Sequence, residues 1–116
     1  MNDFDYLTVA ETTLDHLFDF FTESESLEDC DIDLIDGVLT VIFEDDTRLI
    51  INKQEPVQQL WLAVPEGPAH YKYDRDKCVW VDEKTSEELL IALQRVLSAK
   101  LGQEIERLLP YGTKWK

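Results

Sequence analysis

Residues 30–43 read Cys30-Asp31-Ile32-Asp33-Leu34-Ile35-Asp36-Gly37-Val38-Leu39-Thr40-Val41-Ile42-Phe43. The first five alternate, which is the period of a strand with one buried face: Asp31 and Asp33 on one side, Ile32 and Leu34 on the other. Asp36-Gly37 is the dipeptide favoured in a two-residue hairpin turn. Val38 to Phe43 then returns as a second strand. Working outward, Glu44-Asp45-Asp46-Thr47 turns the chain, and Arg48-Leu49-Ile50-Ile51 makes a third strand. Asn52-Lys53-Gln54-Glu55-Pro56 reads as a turn. Gln59-Leu60-Trp61-Leu62-Ala63 alternates again, with Leu60 and Leu62 inward and Gln59 and Trp61 outward. Residues 64–69, with Pro65, Gly67 and Pro68, read as a loop. Short strands are expected near His70–Tyr73 and Cys78–Val81, joined through Asp74 to Lys77.

A helix flanks each end of this β region. Over residues 4–23, Leu7, Ala10, Leu14, Leu17, Phe18 and Phe21 recur at helical spacing, and Asn2 or Asp3 is placed to cap the start. A second helix is expected from Thr85 or Ser86, where Thr85 and Glu88 have capping-box spacing. Leu89, Leu90, Leu93, Val96, Leu97 and Leu101 form its apolar face, and Gly102 is placed to end it. Helix, five or six antiparallel strands, helix is the pattern of an α+β two-layer sandwich. Both terminal helices would pack on one sheet face and leave the other open. The chain has 116 residues, enough for a single domain, with a core over about 1–101 and an extension over 102–116 in which Ile105, Leu108 and Leu109 suggest further helical turns.

Charge is distributed unevenly. Of 25 acidic residues, 15 fall before Arg48, where there is no Lys or Arg, against a formal net charge of −14 for the whole chain. Such a protein is a poor partner for nucleic acid, because phosphate contacts need cations. No apolar run approaches the roughly 18 residues that cross a bilayer. The N-terminus has the features of neither a secretory signal nor a transit peptide, so a cytoplasmic location is expected. Cys30 and Cys78 are expected to be reduced, structural thiols. His16 and His70 have no metal-ligand spacing, and nothing assembles a nucleophile, a triad or a phosphate loop.

The acids themselves are the candidate chemistry. Glu11, Asp15, Asp19 and Glu23 are spaced by four along the first helix, where like charges repel by about 0.2–0.5 kcal/mol per pair. Glu23 and Glu25 also sit where the helix dipole disfavours anions. Glu25, Glu28, Asp29, Asp31 and Asp33 continue through the loop and first strand. If that strand is a sheet edge beside the helix, the rows become one ridge. Exposed carboxylates suit hard cations such as iron, Mg²⁺, Ca²⁺ or Mn²⁺, bound weakly and with competition among them. The same surface suits a basic protein patch. Asp29-Cys30-Asp31-Ile32-Asp33 starts like a calcium-binding loop, but Leu34 and Thr40 stand where that loop needs Gly and Glu. Trp61, outward beside Gln59 and near Asn52 and Gln54, reads either as an interface anchor or as a ring lying flat on its own sheet.

Gly37-Val-Leu-Thr-Val-Ile-Phe, Ile50-Ile-Asn-Lys-Gln-Glu-Pro56 and Gln59-Leu-Trp-Leu-Ala63 together resemble the signature of the frataxin family, bacterial CyaY type. The likeness runs from about Met1 to Leu101. It implies an α-β sandwich and a non-enzymatic accessory role in iron–sulfur cluster assembly, with weak Fe²⁺ and Fe³⁺ binding on an acidic ridge. It also implies modulation of a cysteine desulfurase complex that includes the scaffold protein. By position the ridge is Asp19, Glu23, Glu25, Asp29, Asp31 and Asp33, and the partner-binding sheet surface is Asn52, Gln54, Gln59 and Trp61. A monomer is expected. Ferroxidase activity, attributed to some eukaryotic members, finds no buried Glu-x-x-His di-iron pattern here. The alternative function is a metal-independent regulator that docks a basic partner through the ridge. Phe18, Phe20 and Phe21, with Thr22, Ser24, Ser26 and Leu27, make the end of the first helix less acidic than is common in bacterial members.

Overall fold

The computed structural model describes residues 5–102. Helix α1 (Tyr6–Glu23) is followed by six strands and a closing helix. The strands are β1 (Asp31–Ile35), β2 (Val38–Ile42), β3 (Arg48–Gln54), β4 (Gln59–Val64), β5 (Gly67–Asp74) and β6 (Val79–Asp82), and the helix is α2 (Leu89–Leu101). Each strand pairs antiparallel with the next, in the order β1-β2-β3-β4-β5-β6. The two helices cover one face of this sheet, α1 against β1 and β2 and α2 against β6. The expected α+β sandwich is therefore the fold, with six strands rather than five.

Alternation builds the core. Leu39, Val41, Leu49, Ile51, Leu60, Leu62, Tyr71 and Trp80 are buried, and so are Leu14, Leu17 and Phe21 of α1 and Leu89, Leu93 and Leu97 of α2. The Asp36-Gly37 turn has positive φ at both residues (53° and 77°), the geometry that matches the twist of a two-residue hairpin. Gly37 has a second role: a Cβ there would lie 2.5 Å from Cε of Lys53, whose chain passes over the turn. Gly102 ends α2 at φ 69°, as its composition implies.

Several boundaries differ from the sequence expectation. Asp5, not Asn2 or Asp3, caps α1: its carboxylate accepts from the Thr8 backbone N–H at 3.3 Å and from the Thr8 hydroxyl at 2.8 Å. Tyr6 takes the buried position assigned to Leu7, which is exposed. Asn52, Lys53 and Gln54 are strand, not turn, because Gln54 pairs directly with Gln59 across a four-residue connection closed by Gln58 at φ 55°. The loop assigned to residues 64–69 shrinks to Pro65-Glu66, with Val64 paired to Gly67.

Helix α2 begins at Leu89, not at Thr85 or Ser86. The Asp82 carboxylate accepts from the backbone N–H groups of Lys84 (2.7 Å) and Thr85 (3.2 Å). Ser86 is left-handed at φ 67°, and Glu88 is bridged to Val81 in an extended conformation. The Thr85 hydroxyl accepts from Glu87 N–H within that turn, so the capping-box spacing closes a loop instead of a helix. Ile105, Leu108 and Leu109 lie outside the described residues, as does most of the 102–116 extension.

Candidate functional site

Helix α1 buries Ala10, Thr13, Leu14, Leu17 and Phe21, which turns Glu11, Asp15, Asp19 and Glu23 to the solvent. A single 3₁₀ turn, Glu25–Leu27, anchors the chain through buried Leu27 and leaves Glu25 exposed. Glu28 and Asp29 are exposed in the turn that follows. Strand β1 lies at the sheet edge against α1, and its Asp31 and Asp33 are exposed while Ile32 and Leu34 pack on the core. β1 is thus an edge strand beside α1, the placement on which a joined acidic surface depends. Inward-facing apolar residues with charged residues on the solvent side also protect an edge strand from pairing with another chain.

Glu11 and Asp45 are tied into ion pairs. Glu11 Oε2 accepts from Lys53 Nζ at 2.9 Å, so this carboxylate is tied to β3. Its hydrogen bond holds the Lys53 ammonium above its ordinary pKa. Asp45, in the β2–β3 turn, accepts from Lys100 Nζ of α2 at 2.5 Å and from the Thr47 hydroxyl at 2.7 Å. These partners, Lys100 first, hold the Asp45 carboxyl below the usual carboxylate range. A lowered folded pKa adds stability above the unfolded value and loses it as pH falls through the folded one. Lys100→Met is therefore expected to lower the melting temperature at pH 7, and the gap to the parent protein should begin to narrow as pH falls below about 3.8, the group's ordinary value, and close only at the lower pH where the folded carboxyl is itself protonated. Thermal melts across that range measure it.

The β2–β3 turn was read only as a connection, yet it extends the acidic surface. An open cleft at the end of the sheet is lined by Asp29, Cys30, Glu44, Asp45 and Lys100, among others. Burial first, then the charges of Glu44, Asp29 and Asp31, push the Cys30 thiol up, which keeps it protonated and un-nucleophilic. Both cysteines are free thiols. The signal for Glu44 was its place two residues after β2, whose last residue Ile42 pairs with Asp31 at the start of β1.

No group of three His, Cys, Asp or Glu converges to hold a metal among the described residues. The donor set fits a hydrated hard cation touched by one or two carboxylates at a time; it does not fit a closed chelating cage. Asp19→Asn with Glu23→Gln removes the like-charge pairs Asp15–Asp19 and Asp19–Glu23 and an anion from the last helical turn, which has no basic residue. This double variant should gain about 0.5–1 kcal/mol in low salt and lose the gain in high salt. Urea unfolding at two ionic strengths checks it.

The open sheet face carries the second candidate surface. Asn52, Trp61 and His70 form one cross-strand row. Asn52, Gln54 and Trp61 are half-buried, and Trp61 stacks on His70 with ring centroids 4.1 Å apart. The Trp61 ring is thus packed against a neighbour on its own sheet while remaining partly accessible to solvent. Gln59 corrects the expectation of an outward, accessible side chain: it is buried, held beneath Trp61 and Glu83. His70 and Glu83 belong to this surface and were not singled out, since Glu83 reaches it only through the turn after β6. No helix in the described residues is long and apolar enough to cross a membrane.

An acidic helix and edge strand beside an open, glutamine- and tryptophan-bearing antiparallel face define a frataxin-type α-β sandwich. The chain belongs to the frataxin-like family, whose domain it matches over residues 1–103. It is 48% identical over 105 residues to the iron-sulfur cluster assembly protein CyaY of Thioalkalivibrio sulfidiphilus, covering 90% of this chain and 98% of that one. It is 38% identical to CyaY of Pseudomonas fluorescens, covering 84% and 87%. The frataxin of Psychromonas ingrahamii superposes with a TM-score of 0.78 at 31% identity, covering 94% and 100%. A trimeric frataxin of Saccharomyces cerevisiae, complexed with ferrous iron, superposes at 0.72 with 30% identity, covering 89% and 91%. In keeping with its family, the chain is an accessory protein and not an enzyme.

Proposed function

We propose that this chain is an iron-binding regulator of iron–sulfur cluster assembly in the cytoplasm. Family membership supports the general role. The observation that carries the finer reading is the exposure of the carboxylates of α1, of the turn through Asp29 and of the edge strand β1, which packs beside α1. Fe²⁺ or Fe³⁺ is cargo held loosely by Asp15, Asp19, Glu23, Glu25, Asp29, Asp31 and Asp33, with other divalent cations competing. Glu11, tied to Lys53, contributes least. The same ridge docks a basic patch of a cysteine desulfurase, and the surface of Asn52, Gln54 and Trp61, underpinned by Gln59, contacts the desulfurase or the scaffold protein. The acting form is a monomer.

A second reading is favoured by the lack of any converging metal-binding group among the described residues. In it the ridge is only a docking surface and Mg²⁺ occupies it in the cell. The affinity of the purified desulfurase–scaffold complex for the parent protein and for an Asp31→Asn, Asp33→Asn variant separates the two. With Mg²⁺ present, added Fe²⁺ should change the parent's affinity and leave the variant's nearly unchanged. Equal affinities with and without Fe²⁺, falling steeply with salt, support the metal-independent regulator.

A further inference from the structure

Four side chains on the open face close a circuit. The Trp61 Nε1–H donates to Gln59 Oε1 at 2.7 Å. Gln59 Nε2 donates to Glu83 Oε1 at 3.0 Å. Glu83 Oε2 lies 3.2 Å from His70 Nδ1. The His70 ring stacks on the Trp61 indole with the planes 10° apart, which returns to the start. The Glu83 backbone N–H also donates to the His70 carbonyl at 3.0 Å, fixing the turn beside the strand.

We propose that Glu83 is the positioning residue of the Trp61 surface, acting through Gln59 and His70. A carboxylate only accepts hydrogen bonds, whereas a Gln amide has one accepting and one donating end. Glu83 draws the Gln59 NH₂ toward itself, so the carbonyl end must face Trp61. A flipped amide would set its NH₂ against the indole N–H, donor to donor, and its carbonyl oxygen against the Glu83 carboxylate, acceptor to acceptor. The other carboxylate oxygen demands a proton on His70 Nδ1, which selects the tautomer and the plane on which the indole rests. Gln59 is buried, so its amide has few alternative partners. An aromatic anchor held in one pose loses less freedom on docking.

This inference rests on the reading of the Trp61 surface as a docking site, and its test separates the two. The indole Nε1–H resonance of Trp61, assigned with Trp61→Phe, is followed by NMR, and affinity is measured with the desulfurase–scaffold complex. Glu83→Ala should move that resonance, speed its solvent exchange and weaken binding about two- to tenfold. Glu83→Gln keeps an accepting oxygen for Gln59 and turns its NH₂ toward His70 Nδ1, which the neutral imidazole meets by switching to the other tautomer, so it should restore the parent indole resonance and most of the affinity. On a Trp61→Ala background, Glu83→Ala should change affinity no further. The proposal is overturned if Glu83→Ala leaves the indole signal unchanged, if Glu83→Gln behaves like Glu83→Ala, or if the binding loss persists without Trp61. Should Trp61→Ala itself bind like the parent, the docking reading falls, and the indole signal alone decides the positioning role.

Discussion

Trp80→Ala is expected to destabilise the protein by about 3–5 kcal/mol, or roughly 15–30 °C in melting temperature for a domain of this size. Trp80 is 2% exposed and is the side chain on which α1, β5 and β6 meet. Its indole meets Tyr6 edge-on (centroids 6.2 Å, 78°) and Tyr73 likewise (5.1 Å, 61°). Its Nε1–H donates to the Thr13 hydroxyl at 3.0 Å, and that hydroxyl donates in turn to the Val9 carbonyl at 2.8 Å. Truncation leaves a large cavity beneath the helix that carries the acids, while Thr13 keeps one partner, so the loss is mainly packing. Urea unfolding measures it. A loss under about 1 kcal/mol would show that this junction is not the core of the α1–sheet interface.

Tyr6→Phe should cost about 1–3 kcal/mol although it removes a single oxygen. The Tyr6 hydroxyl donates to the Gln59 carbonyl at 2.6 Å and accepts from the Gln54 backbone N–H at 3.0 Å. These are the last residues of β3 and the first of β4, directly paired with each other. Burial pushes the phenol up, so it remains a neutral donor through the physiological range. Phenylalanine keeps the edge contact with Trp80 and orphans both backbone groups, which isolates the hydrogen-bond contribution. The loss should appear locally as faster exchange of the Gln54 amide. Unchanged stability with unchanged exchange would mean that water replaces the hydroxyl without penalty.

These two residues also mark what was hard to read from sequence. The β core was legible because alternation is a local pattern: Ile32, Leu39, Val41, Leu60 and Leu62 need only their own neighbours to be placed. The acidic edge was legible for the same reason, since spacing by four and by two fixes which face each carboxylate takes. Leu7 was assigned the place that Tyr6 takes because one residue of helical phase decides which is buried, and the phase was set by contacts with β4 and β6. Lys53, Lys100 and Glu83 act on partners 42, 55 and 24 residues away. No spacing rule reaches that far. The late start of α2 follows from Asp82, whose turn-forming carboxylate competed with a capping signal only three residues on. Gln59 was placed on the correct sheet face, but its burial depended on Trp61 and Glu83 folding over it.

The edge from α1 to β1 is proposed to bind iron in preference to the magnesium that surrounds it. That preference is tested most directly by NMR titration of the labelled protein with anaerobic Fe²⁺ in the presence of excess Mg²⁺. Shifts and broadening should be confined to residues 11–33 and the adjoining Glu44, strongest at Asp19 to Asp33, weaker at Glu11, and should survive the Mg²⁺. Perturbations that Mg²⁺ abolishes, or that spread over the sheet face around Trp61 instead, would contradict an iron-binding ridge and leave the edge as a docking surface for a basic partner.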